Sequence, residues 1–270
     1  VRNAIPDANS LRLHITQRNN QVGQNSTTTT RLNLTDANPV FNDFTYKDSN
    51  ASVATITGND QVLVKGKSTL QVTVPSGDKM VTQKGANPDY YAIAYDGVSN
   101  NEAYSASNVN SDFTNIDTVG SRAILVTAYD SRTNNTRVAK NVQVYDYKPP
   151  NIEFEVTREN NFGADVTIET GGTFDLLPIN GVNKNAITAS SLKYRYKEKG
   201  AATWGTWANI PFTVTDDGFA GTNQFITLDN TKAYELEFQV ADKFGTHNQA
   251  TELGAGTPIM FAGRYSDGSS

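Results

Sequence analysis

The chain has no cysteine, which removes disulfide staples, thiolate zinc sites and cysteine nucleophiles together. Histidine is scarce too: His14 and His247 each fall in or beside an expected hairpin, away from any serine and acid that would make a triad. His-x-x-x-His, Gly-x-Ser-x-Gly and glycine-rich phosphate loops are missing, so hydrolase, zinc and nucleotide chemistry have no anchor. Neither charge sign dominates, with 23 basic against 28 acidic residues, and this excludes a sequence-wide footprint for nucleic acid. Long apolar runs are absent as well. The longest, Tyr90 to Tyr95, falls far short of the ~20 residues that span a bilayer, so no membrane partner is expected. The start Val1-Arg2-Asn3 is no signal peptide, and with the polar end Ser266 to Ser270 it reads as a segment cut from something longer.

What is present is alternation. Leu11, Leu13, Ile15; Leu70, Val72, Val74; Ile124, Val126, Ala128; and Tyr234, Leu236, Phe238, Val240 recur with period two, the mark of strands with one buried face. Between such runs lie turn formers such as Thr57-Gly58-Asn59-Asp60, Asp96-Gly97 and Asp216-Asp217-Gly218. No segment carries a helical stripe. The expected class is all-β.

The chain also repeats. Asp36, Pro39 and Phe44 return as Asp146, Pro149 and Phe154 at one offset of 110 residues (154 − 44). Val126 to Arg132 resembles Phe238 to Phe244, so strand, Asp, turn, strand closes each unit. Residues 10–35 look like the closing hairpin of a preceding repeat, around Gly23 with Leu32 and Leu34 returning, and an isolated hairpin needs something to pack on. Prolines at Asn38-Pro39 and Lys148-Pro149-Pro150 mark extended joins and suggest a stiff row of beads. The expected organisation is a hairpin over 1–36, an immunoglobulin-like β-sandwich over 37–147, a fibronectin type III-like β-sandwich over 148–262 and a polar tail over 263–270. In the last sandwich, Leu228 stands six residues before Tyr234, the spacing of a tyrosine corner that bonds back to the turn. Leu192 to Lys197, then Gly200 and Trp204, reads as strand, turn and partner strand, with an indole that could seed the core.

Ligand chemistry is confined to aromatics. Tyr90, Tyr91, Tyr95 and Tyr104 flank an Asn/Ser-rich loop, and flat rings stack on sugar faces while amides bond hydroxyls. The competing reading buries Tyr91, Ile93 and Tyr95 on one strand face with Tyr90 outside. Trp204 and Trp207 are three apart, so an extended chain sends one to the core and one to solvent. Candidate glycan or partner contacts are therefore Tyr90, Tyr91, Tyr104 and Trp207. Asn108 to Asp112 alternates oxygen donors as a calcium loop does, but Phe113 stands where glycine is required, and a polar loop explains it better. Sequons at Asn25, Asn33, Asn50 and Asn134 are what chance supplies in an Asn- and Thr-rich chain. Catalytic, metal and cofactor residues are expected to be none, so the chain reads as a binding protein rather than an enzyme.

The wording of the repeats resembles the minor structural tail proteins of siphophages that infect streptococci and related Gram-positive bacteria. Phe44 to Asn50, Ile56 to Val64, Lys67 to Leu70, Val126 to Arg132, Tyr194 to Lys197 and Asp242 to Phe244 carry the likeness, over about residues 36–262. It implies a virion component at the tail tip or baseplate, with other tail proteins and host cell-wall polysaccharide as partners. It also implies a further C-terminal part after Gly256 to Phe261. A homo-oligomer, a trimer by analogy, fits that setting. The alternative, sharing the same fold, is a carbohydrate-binding or spacer module of a secreted bacterial glycosidase or surface adhesin.

Overall fold

The computed structural model describes residues 10–18, 23, 25–33 and 37–256. Leu34, Asp36, Pro258 to Phe261 and the 263–270 tail lie outside the described residues, as do the side chains of His14, Asn25 and Asn33. The chain divides into two compact units, Val1–Asp146 and Tyr147–Ser270. Each is all-β, as the alternation requires.

In the first unit, β1 (Ser10–Arg18) and β2 (Asn25–Asn33) form an antiparallel hairpin with Leu11 opposite Leu32 and Gly23 at φ +67° in the connection. After it come β3 (Thr45–Asp48), α1 (Ala51–Thr57), β4 (Val62–Val64), β5 (Leu70–Val74), β6 (Pro88–Tyr95), β7 (Val98–Ala103), β8 (Val109–Phe113), β9 (Gly120–Asp130) and β10 (Asn135–Tyr145). They make a five-stranded sheet, β4-β10-β9-β6-β7, and a three-stranded sheet, β3-β5-β8. All neighbours are antiparallel except β4, which runs parallel to the last strand, with Leu63 level with Val144. Leu70, Val72 and Val74 face Tyr91, Ile93, Ile124, Val126 and Ala128 across one core. This is an immunoglobulin-like sandwich.

The short helix α1 was not expected. Its seven residues are too few for an apolar stripe, yet both ends are specified. The Asn50 side chain accepts from the N–H groups of Ser52 and Val53, and Gly58 closes the helix at φ +69°. The sequon residue Asn50 is therefore a helix cap. Asn108 to Asp112 also resolves differently from a metal loop: it leads into β8, and Asn110 and Asp112 bond across to Thr73 and Gln71 of β5.

The second unit holds β11 (Asn151–Arg158), β12 (Asp165–Thr173), β13 (Pro178–Ile179), β14 (Val182–Asn183), β15 (Lys193–Glu198), β16 (Ala208–Asn209), β17 (Phe212–Thr215), β18 (Gly218–Gly221), β19 (Gln224–Thr227), β20 (Tyr234–Asp242) and β21 (Gly245–Leu253). One sheet runs β11-β12-β18-β17, with β19 also on β12, and faces the four-stranded sheet β16-β15-β20-β21. Leu236, Phe238 and Val240 of β20 meet Ile152, Ile168, Leu192 and Phe219 in a fibronectin type III-like core. At ~25 cal/mol per Å² each large buried side chain there contributes about 2–3 kcal/mol.

The recurrent Asp at the end of β9 and β20 has one job in both units. Asp130 Oδ1 accepts from the N–H groups of Arg132 and Asn134, and Asp242 Oδ1 from those of Phe244 and Gly245. Each carboxylate satisfies the orphan donors of the turn that opens the closing hairpin. Tyr234, by contrast, makes no tyrosine corner. Its ring meets Tyr196 edge-on at 6.2 Å, and the loop before β20 is bonded by the buried Arg158, whose Nη2 donates to the carbonyls of Asp229 and Lys232.

Candidate functional site

The expected contact residues separate. Tyr90 points outward from β6 and stacks on Tyr129, its cross-strand partner, with centroids 4.7 Å apart and planes 8° from parallel. Tyr91 points inward and is fully buried, its hydroxyl accepting from the Met80 N–H at 2.9 Å. Assigning Tyr91 to a ligand surface is thus corrected: strand alternation commits it to the core with Ile93 and Tyr95. Tyr104 packs half-buried against that core, 6.4 Å from the Tyr91 ring, with Lys79 Nζ 5.8 Å from both rings. Tyr90 and Tyr104 therefore do not share a patch, and Trp207 belongs to the other unit.

In the second unit the two indoles lie together. The Arg195 guanidinium carbon is 5.0 Å from the Trp204 ring and 4.4 Å from the Trp207 ring, and Lys197 Nζ is 4.9 Å from Trp204. The expectation of opposite faces, with Trp204 in the core, fails because the chain between the indoles is not a strand. The Gly205 N–H reaches back to the Tyr196 carbonyl at 3.0 Å, and a Cβ on Gly205 would sit 2.9 Å from that oxygen. Alternation is suspended there, and both indoles, half-buried, come onto the outer face.

That face is ordered by charge. Arg195 and Lys197 on β15 stand opposite Glu237 and Glu235 on β20, with Arg195–Glu237 at 2.5 Å and Lys197–Glu235 at 2.9 Å. Hydrogen bonding to Lys197 holds the Glu235 carboxyl below the usual range. Asn248 of β21 donates to Glu237 and accepts from Gln239. Pairing fixes the cations, and the fixed cations hold the indole faces, a geometry in which cation–π contacts contribute about 0.5–2 kcal/mol each. The result is a flat aromatic and amide surface suited to binding. Arg195, Lys197 and Tyr129 were missed from the sequence, although the facing patterns Lys193-x-Arg195-x-Lys197 and Glu235-x-Glu237 carried the signal. Among the described residues, no group of three or more His, Asp or Glu side chains could hold a metal ion.

Inward tyrosines give the fold an alkaline limit. Burial raises the phenols of Tyr91, Tyr147 and Tyr194, and it pushes Tyr95 up to about 12, reinforced by Asp96 and opposed by Arg122. An unfolded tyrosine ionises near pH 10. Above that pH the unfolded chain has released protons that the folded chain still holds, so stability falls as pH rises from about 10 toward 12. Denaturant midpoints measured across this window should drop steadily, while those between pH 7 and 9 stay level. Tyr95→Phe should shallow the decline, and an unchanged slope would remove Tyr95 from the account.

Comparison with known proteins adds the origin. A family model described as "Siphovirus protein of unknown function (DUF859)" matches residues 2–262. The chain belongs to that siphovirus family. No curated protein matches it. Among solved structures it is similar to a Ca2+-stabilized adhesin with which an Antarctic bacterium binds ice, at 13% identity and TM-score 0.39, over 92% of this chain and 56% of that one. The chain thus spans little more than half of that adhesin chain. It is also similar to the fibronectin(III)-like modules of Clostridium thermocellum CbhA (8% identity, TM-score 0.26, 72% and 87% covered). A two-domain fibronectin type III segment of chicken tenascin matches at 12% identity and TM-score 0.27, with 81% and 99% covered. The siphovirus family makes this a phage protein, and its sandwiches are of the immunoglobulin and fibronectin type III kind.

Proposed function

We propose that this siphovirus protein is a structural segment of the tail tip or baseplate, a spacer and interaction module that binds without turnover on a phage of streptococci or related Gram-positive hosts. Its partners are other tail proteins and, through the Trp204–Arg195–Trp207 face, cell-wall polysaccharide. The observation that carries the reading is that face: two indoles held on the outside of a sheet by paired cations, on the same sheet as the exposed, mutually bonded amides of Gln239 and Asn248. An indole offers its π-face to the C–H face of a sugar while neighbouring amides bond the hydroxyls. Many weak copies on one virion then give firm attachment.

Glycan arrays and whole-cell pull-down test this together. The parent chain should bind host-wall glycan, and Trp207→Ala should weaken binding roughly two- to tenfold, since a ring contact contributes roughly 0.5–1.5 kcal/mol. Tyr90→Ala, on the other unit, should leave that signal in place. Equal binding by parent and Trp207→Ala would take the glycan role from this face. Antibody labelling of virions along the tube rather than at the tip would overturn the tail-tip placement, and light scattering would read the oligomer.

A further inference from the structure

In the first sandwich the outer side of the closing strand β10 is covered. β4 lies along its end, and Thr136, Lys140 and Asn141 are bonded to Pro39, Phe44 and Tyr46 of the chain that leads into β3. The second sandwich makes no such detour. There β11 passes through one short turn into β12, and the sheet β16-β15-β20-β21 stops at β21.

The ladder defines the free side of β21. The Ala241 carbonyl accepts from Thr188, on the side of β20 away from β21. Main-chain direction alternates along an antiparallel ladder, so Ala241, Gln239, Glu237 and Glu235 turn away from β21, and their partners Thr246, Asn248, Ala250 and Glu252 turn away from β20. The N–H and C=O groups of these four have no partner among the described residues, and all four residues are exposed. An incoming strand would meet them directly.

Folds usually guard such an edge by keeping it short or by placing proline, lysine or a bulge on it. β21 is nine residues long, has neither proline nor lysine, and runs without a register shift against β20. Its one carboxylate, Glu252, is neutralised by Lys199 at 2.6 Å, and His247 leans toward Asp242, 3.9 Å away. The other sandwich edges are poorer templates. β3, β17 and β19 have four residues each, β7 is tied to β8 through Asn100 and Ser111, and β11 paired with its own copy would crowd Glu153 and Glu155.

We propose that β21 pairs antiparallel with β21 of a second copy, about a two-fold axis at Gln249. This register uses all four free residues, with Thr246 opposite Glu252 and Asn248 opposite Ala250 on both sides of the axis, and it sets no like charges face to face. Two four-stranded sheets become one continuous sheet. Because the axis stands perpendicular to the sheet, the Trp204–Arg195–Trp207 faces of both copies come onto the same side, roughly 24 Å apart by strand spacing. Their use as a bivalent grip on sugar rests on the function proposed above; the pairing does not.

Sedimentation of the whole chain at up to about 1 mM should show a reversible dimer, the affinity expected of a few net main-chain bonds. Ala250→Pro removes an N–H that the β20–β21 ladder does not use, so it should weaken dimerisation at least tenfold and leave the indole melting transition in place. Because the chain lacks cysteine, Gln249→Cys reports the register. It falls opposite its own copy in a non-hydrogen-bonded pair, ~4.5 Å between Cα atoms and within disulfide reach. Oxidation should link it at concentrations where Thr213→Cys, exposed on β17, stays monomeric. A monomer at every concentration, a dimer indifferent to Ala250→Pro, or equal cross-linking at both cysteines overturns the proposal. Dimers that bind no glycan would sink the sugar reading alone, and glycan binding by a strict monomer would sink the pairing alone.

Discussion

Alanine in place of Asp242 should cost the second unit roughly 3–5 kcal/mol, the range for breaking a buried, fully partnered charge. Asp242 is 4% exposed, and both of its oxygens are used twice. Oδ1 takes the Phe244 and Gly245 N–H groups at 2.8 and 3.1 Å; Oδ2 takes the Tyr147 hydroxyl at 2.8 Å and the Asn185 amide at 2.9 Å. Alanine strands all four donors, two of them backbone groups at the mouth of the β20–β21 hairpin. Asn185 in turn holds the Asp175 carbonyl and the Lys243 N–H, so the loss spreads to the β13–β14 side. The melting temperature should fall by roughly 10–20 °C for a unit of this size. Both tryptophans, 204 and 207, lie in this unit, so indole fluorescence reports its unfolding alone. Asp130→Ala is the control. It removes the matching turn acceptor of the first unit and should leave the indole transition where it was. A shift below about 1 kcal/mol for Asp242→Ala would show that the turn closes without its carboxylate.

Arg158→Met should cost about 2–4 kcal/mol in the same unit. The side chain is 6% exposed and ends among backbone carbonyls. Nε donates to Gly254, Nη1 to Gly163, and Nη2 to Asp229 and Lys232, at 3.0 to 3.4 Å. One guanidinium thereby ties the loop after β11, the turn before β20 and the end of β21. Methionine keeps the volume of the stem and abandons the four acceptors. Lysine restores the charge but not the fork, so Arg158→Lys should recover less than half of the loss. Hydrogen exchange localises the effect: the amides of Leu228 and Gly256, bonded to Ala164 and Asn230, should exchange at least tenfold faster in the methionine variant. Acceleration spread evenly over the first unit as well would contradict a local clamp.

Period-two alternation was fully legible where a strand had one buried face. Leu70, Val72 and Val74, Ile124, Val126 and Ala128, and the four apolar residues of β20 all point inward. The recurrent Asp was legible too, because its bonds are to the next few residues, and local chemistry repeats with the sequence. Tertiary bonds do not. The Tyr234 spacing suggested a corner, but which group reaches the loop before β20 is decided by Arg158, some seventy residues upstream of that loop. The tryptophan pair failed for a related reason: the alternation rule assumes a strand, and the Gly205 to Tyr196 bond removes it for a few residues. Tyr91 was readable both ways, and the sandwich core took it.

The parallel pairing of β4 with β10 also sets a clock. The ladders among β3, β5 and β8 and among β6, β7 and β9 can form once residues up to Asp130 have left the ribosome, but Val62 to Val64, on the far edge, must wait with β9 for β10 and for Gln143 to Tyr145 at its end. Closing so long a loop is slow in entropy terms, because the chain between must be ordered before the new contacts reward it. Until then Leu63 and Val64, fully buried in the finished unit, are uncovered in the nascent chain. β4 is thus among the apolar segments, with the inward face of β9, that stay open to the host's chaperones until β10 arrives.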